Sequence, residues 1–245
     1  MIGTIIAHLL FLVLLVAPFQ AMKALRQLDA LVLTNRNARL DFYRAAIISQ
    51  WVLAPAAIVA TFRDGPSAAA SGLVLPTTNV ETLAIVIVVS LLILSQSPIV
   101  PAVRAQMQRS AAARQLLHPM RNLLPRTEPE RRRWVAVAAT AGFCEELLFR
   151  GFLFFYLQSY WGASLYGAVV VSSLLFASSH WYQGPGNVIR VGIVGLLLGI
   201  VYAVTGSLFF PAVLHVLLDL GALSMGDIVP SDDERGASIE SSGPG

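Results

Sequence analysis

Apolar residues run along this chain in long blocks with few polar positions between them. Seven blocks stand out, at residues 2–19, 45–62, 83–100, 134–157, 163–180, 188–204 and 208–225. Runs of about 18 residues or more suit a helix that crosses the hydrocarbon core of a bilayer. Most of them lack the polar face at helical period that a soluble helix carries. The pattern predicts an all-α, polytopic membrane protein with about seven transmembrane helices. The second run is the weakest, because Gln50 and Pro55 interrupt it. It is retained because without it the two basic loops described below would face opposite sides of the membrane.

The connections are as informative as the runs. Residues 63–76 form a loop containing Gly, Pro and Ser. Residues 101–133 form a long basic connection, in which Val103, Met107, Leu116, Leu117, Met120, Leu123 and Leu124 alternate with Arg104, Arg109, Arg114 and Arg121. An amphipathic helix on anionic lipid and a solvated basic linker both fit this pattern. Thr127 with Glu130 three residues later resembles a capping box that would start the fourth membrane helix. The Gly184-Pro185-Gly186 sequence closes the fifth, and Gly195 and Gly199 in the sixth are spaced for close helix packing. Residues 226–245 are polar, acidic and rich in Ser and Gly, which predicts a disordered tail. The chain therefore divides into N-terminal helices with their basic connection (1–133), a membrane core (134–225) and a tail (226–245). It contains no internal repeat.

Composition agrees with the pattern. Of 245 residues, 56% are hydrophobic and 13% charged, against about 25% charged in a typical soluble domain. Thirteen of the 17 Lys and Arg fall within residues 23–44 and 104–133. Beside membrane spans such clusters mark cytoplasmic loops, and no aromatic-studded basic surface points to nucleic acid. The first run has no basic residues before it; Lys23 and Arg26 come after. It reads as an uncleaved helix with its N-terminus outside and, over seven spans, a cytoplasmic C-terminus. The single cysteine, Cys144, excludes an intrachain disulfide and reads as a buried residue. His8 and His118 read as interfacial or solvated.

Ionisable residues inside apolar helices are expensive and mark function by default. The fourth run carries Cys144-Glu145-Glu146-Leu147-Leu148-Phe149-Arg150. Glu146 and Arg150, four apart, share a helix face and can pair, leaving Glu145 about 100° away and free. His180 ends the fifth run, four residues after Phe176. His215 and Asp219 lie four apart in the seventh, where the carboxylate can orient the imidazole. This set suits general-base activation of water with oxyanion stabilisation. A metal site or a proton relay uses the same residue types.

The three motifs, Glu-Glu-x-x-x-Arg, Phe-x-x-x-His and His-x-x-x-Asp in this order on membrane helices, resemble the CPBP family (CAAX protease and bacteriocin-processing, also called Abi or type II CAAX endopeptidases). The resemblance covers residues 142–219. It implies an intramembrane endopeptidase built on the last four helices, acting on membrane-associated CAAX-type or peptide substrates, in the inner (plasma) membrane of a bacterium. By this resemblance Glu145 activates water, Glu146 and Arg150 support it beside Phe176, His180 holds the water, and His215 and Asp219 line the oxyanion site. Position 219 is Asp where the family often has Asn; an ionised Asp cannot donate to an oxyanion, so Asp219 is either protonated or orients His215. The metal-free route is the expectation, with no cofactor; if zinc is bound, its ligands are Glu145, His180 and His215. Two other functions fit a membrane chain of this kind: a non-proteolytic immunity or scaffold protein of the same fold, and a proton-coupled transporter. The intact Glu-Glu pair and histidines disfavour the first, and the absence of repeats disfavours the second.

Overall fold

The computed structural model describes residues 2–61, 69–76, 78–95 and 97–234, and all regular structure among them is helical. In chain order the helices are α1 (Ile2–Leu31), α2 (Ala38–Ala60), α3 (Val80–Leu94), α4 (Pro101–Arg109), α5 (Ala111–Leu117), α6 (Glu128–Glu146), α7 (Leu153–Trp161), α8 (Leu165–Ser179), α9 (Pro185–Thr205) and α10 (Phe209–Leu220). Each apolar run falls on one of these helices or, for the fourth, on the α6–α7 rod. Helices α1, α2 and α9 are long and apolar enough to cross a membrane, while α3, α8 and Phe209–Ser224 are shorter apolar helices. Part of the loop at 63–76 and the last eleven residues of the tail lie outside the described residues.

The outer surface explains the composition. Leu9, Leu12 and Val16 on α1, Ile87 and Leu91 on α3, Ile189 and Ile193 on α9 and Val213 on α10 are all exposed. In water such continuous apolar faces would drive association; against lipid they carry no penalty, and the protein is membrane-embedded. Inside the bundle, α6 lies between α2 and α10, α8 pairs with α9, and α3 packs on α9 and α10. Close approach comes from small residues: Ala54, Ala57 and Ala60 are the buried positions in the C-terminal half of α2.

The fourth membrane segment differs from a plain helix. The predicted capping box is present: Thr127 Oγ1 accepts from the Glu130 backbone N–H, and the Glu130 carboxylate accepts from the Thr127 N–H at 2.8 Å. After the nineteen residues of α6 the α-helical ladder widens into a π turn, Leu147–Phe152, before α7 continues. The Leu153 N–H reaches back five residues to the Leu148 carbonyl. All six residues of this turn are buried, and Ser172 of α8 donates to the Phe149 carbonyl at 2.6 Å. Insertions of this kind concentrate at functional sites.

The basic connection at 101–133 is largely helical and packs on the protein itself. It forms two short helices, α4 and α5, broken at Ser110, whose side chain caps α5. Its apolar residues Met107, Leu117, Leu123 and Leu124 are buried on Leu25, Leu28, Tyr43 and Trp134, at the ends of α1, α2 and α6. The apolar face is therefore covered by the protein's own helix ends.

Residues 226–234 also depart from the expectation of a disordered tail. Ile228 and Val229 are buried in the same cluster, and the tail acids meet arginines from distant segments. Arg39 holds Asp233 with two hydrogen bonds, 2.8 and 3.2 Å. Arg121 holds Asp232 likewise at 2.7 and 2.8 Å, and Asn122 joins Asp232 to Asp29. Arg126 donates to the Val229 carbonyl at 2.6 Å, and Arg131 pairs with Asp227 at 2.9 Å. Burial pushes the Asp233 carboxyl up, but the Arg39 hydrogen bonds and charge outweigh it and hold the group below the usual carboxylate range. A composition that reads as solvated is thus ordered by bidentate pairing.

Candidate active site

Three chain segments converge beside the π turn. The last turn of α6 presents Glu145 and Glu146, the C-terminal end of α8 presents His180, and the middle of α10 presents His215. Gly142 makes the α6–α10 approach possible, because a Cβ there would lie 3.0 Å from the Ala212 carbonyl and against Val216. The contact sets His215 next to the two glutamates.

Glu146 is the structural anchor. It and Arg150 are fully buried and pair at 2.7 Å. The same oxygen, Glu146 Oε1, lies 2.8 Å from His215 Nδ1. Arg150 also donates to the Gly195 carbonyl of α9 at 3.0 Å, and its guanidinium lies 4.6 Å from the centre of the Phe176 ring. Gly195 leaves room for this: a Cβ would meet Phe176 at 3.1 Å and Arg150 at 3.5 Å. The packing role expected of Gly195 is therefore joined by a polar one, since its carbonyl satisfies a buried charge.

Both imidazoles are fixed through Nδ1. His180 Nδ1 lies 2.8 Å from the Phe176 carbonyl, which can only accept, so this nitrogen carries the proton and Nε2 offers its lone pair. Phe176 packs against both rings, at 4.6 Å from His180 and edge-on at 5.7 Å from His215. His215 donates from Nδ1 to the Glu146 carboxylate, which frees Nε2 to face Glu145 and Asp219. The two Nε2 atoms lie 3.8 Å (His180) and 3.9 Å (His215) from Glu145 Oε2. That oxygen makes no hydrogen bond to protein. Separations of this size exceed a direct hydrogen bond and match the reach of a bridging water.

Asp219 stands at the margin. Its carboxylate is 3.8 Å from His215 Nε2, beyond hydrogen-bond distance, and is about one-third exposed. Its backbone carbonyl accepts from Trp134 Nε1 at 2.8 Å. Glu146, and not Asp219, makes the hydrogen bond that orients His215.

Gln50 of α2 is the site residue that the sequence reading missed. Treated there only as an interruption of an apolar run, it donates from Nε2 to Glu145 Oε1 at 3.1 Å. Its signal was the one available for the other residues, a polar side chain inside a membrane-length helix. The remaining candidates stay apart from the cluster. Cys144 is buried and free. His118 is exposed. His8 is exposed, yet its ring is held by Tyr156, 2.9 Å from the hydroxyl, at the opposite end of the bundle.

Zinc ligands at about 2.0–2.1 Å in a tetrahedron stand about 3.3 Å from one another. Glu145, His180 and His215 have suitable donor chemistry, but their 3.8 and 3.9 Å spacings are wider. Among the described residues no group of three or more His, Cys, Asp or Glu side chains is arranged to hold a metal ion.

Residues 130–221 match the family model described as Type II CAAX prenyl endopeptidase Rce1-like. The matched stretch runs from the capping box of α6 to the end of α10, and holds all three motifs. Searches of curated proteins and of solved structures find no match to the chain.

Proposed function

Given an Rce1-like type II CAAX prenyl endopeptidase domain at residues 130–221, we propose that this chain is an intramembrane endopeptidase that cleaves membrane-associated, CAAX-type peptides with a water activated by Glu145. The observation that carries the reading is Glu145 Oε2, which makes no hydrogen bond and faces two imidazole Nε2 atoms at 3.8 and 3.9 Å.

A water between these groups donates one hydrogen to Glu145 Oε2 and the other to His180 Nε2. Its lone pair is then free to attack the scissile carbonyl carbon. As the oxygen–carbon bond forms, Glu145 takes the proton. The resulting oxyanion accepts from the Nε2–H of His215, which acts as an imidazolium and donates from Nδ1 to the Glu146 carboxylate at the same time. Collapse of the intermediate breaks the carbon–nitrogen bond, and Glu145 passes its proton to the departing amine. Preorganised donors of this kind supply much of the rate in acyl transfer. Asp219 lies on the exposed side of His215, where a substrate carbonyl would enter. Phe176 and Arg150 hold the histidines and Glu146 in register.

The reading places seven spans in the bilayer: α1, α2, α3, the α6–α7 rod, α8, α9 and α10. The basic connection and the C-terminus then face the cytoplasm, in the plasma membrane of a bacterium. Reporter fusions at Ser71 and Arg121 are expected on opposite sides; the same side for both would refute this topology. Its substrates arrive from the membrane, and lipid surrounds the outer helix faces. The activity itself is tested with the purified full chain in detergent and a fluorogenic farnesylated CAAX peptide. Cleavage before the last three residues is expected, and an intact peptide on prolonged incubation would overturn the proposal.

A further inference from the structure

Gln50 lies outside the matched domain, 95 residues before Glu145, on a helix that the motifs do not reach. Its neighbours Ile48 and Val52 are exposed on the outer face of α2, whereas Gln50 turns inward toward α6. A primary amide inside an apolar helix is costly unless its hydrogen-bonding groups are met. Here only one side is met: Nε2 donates to Glu145 Oε1, while the amide oxygen is buried and accepts nothing. Packing alone gives no reason for such a residue, since an apolar side chain of the same length would fill the space without an orphaned oxygen.

What the amide does is divide the two oxygens of Glu145. With Oε1 engaged by Gln50, the carboxylate plane is fixed and Oε2 is left facing His180 and His215. Without that donor the carboxylate can rotate about its last torsion, which is broad and weakly restrained. We infer that Gln50 is a positioning residue for the general base, so that α2 is a working part of the active site and the last four membrane segments are incomplete without it. This inference rests on the endopeptidase reading above.

The test uses the full chain and the farnesylated CAAX peptide, with Gln50→Met, Gln50→Glu and Glu145→Gln compared with wild type. Gln50→Met preserves length and removes the donor. It should lower kcat about tenfold or more while KM stays within about twofold, the signature of lost alignment without lost binding. In Gln50→Glu the new carboxyl can donate to Glu145 only while it carries a proton. The ratio of its activity to wild type should therefore rise as pH falls. The other charged groups around Glu145, namely Glu146, Arg150, His180, His215 and Asp219, are present in both proteins, while the new carboxyl titrates together with Glu145 as a pair; the rise belongs to the step in which that pair takes up its first proton. Wild-type kcat in Gln50→Met, with Glu145→Gln inactive, would overturn the inference and leave the endopeptidase reading standing. Wild-type activity in Glu145→Gln would overturn both. Where Gln50→Met does not fold, a pH-independent ratio for Gln50→Glu overturns the inference by itself.

Discussion

Glu145→Gln should abolish peptide cleavage while the protein inserts and folds as before. The change keeps the shape of the side chain, and the amide oxygen can still accept from Gln50 at the 3.1 Å position. What is lost is the ability to take a proton from water and return it to the amine. General-base groups contribute about a hundredfold to ten-thousandfold, and kcat should fall by that scale or more. His180→Ala and His215→Ala should give comparable losses, because groups that act as a unit fail together. Initial rates on the farnesylated peptide measure this. Near-wild-type cleavage by Glu145→Gln would mean that the base lies elsewhere.

The largest stability effect is expected at Arg150. Arg150 and Glu146 are both fully buried, and Glu146 Oε1 serves Arg150 and His215 together. Arg150→Ala strands a carboxylate in the bundle, and breaking a buried pair from one side costs about 3–5 kcal/mol. The double change Glu146→Gln with Arg150→Met removes both charges and should recover part of that loss. Unfolding in detergent, followed by intrinsic fluorescence, reads both. A loss in Arg150→Ala of only about 0.5 kcal/mol, typical of a surface position, would show that water reaches the pair.

The helices and the candidate residues of the site were legible in the sequence for one reason. In an apolar segment every polar side chain stands out, because the bilayer makes it costly. Glu145, Glu146, Arg150, His180, His215 and Asp219 stood out in this way as candidates, together with the order of the motifs. What pairs with what was less legible. Glu146 and Arg150 are local on a helix and could be matched by spacing; Glu146 with His215, or Glu145 with Gln50, join residues 69 and 95 positions apart. The π turn was invisible because a widened turn has the same apolar composition as the helix around it. The acidic residues at 227–234 looked solvated, since nothing local shows that Arg39, Arg121, Arg126 and Arg131 come together to meet them.

The central claim is that Glu145 activates water and does not itself attack the peptide. It is tested most directly by one turnover of the purified, metal-stripped full chain on excess-free farnesylated CAAX peptide in heavy-oxygen water, followed by mass spectrometry of product and protein. The account predicts cleavage with one heavy oxygen in the new product carboxylate and none in the Glu145 side chain. Heavy oxygen in Glu145 after that first turnover, or cleavage that returns only when zinc is restored, would contradict it.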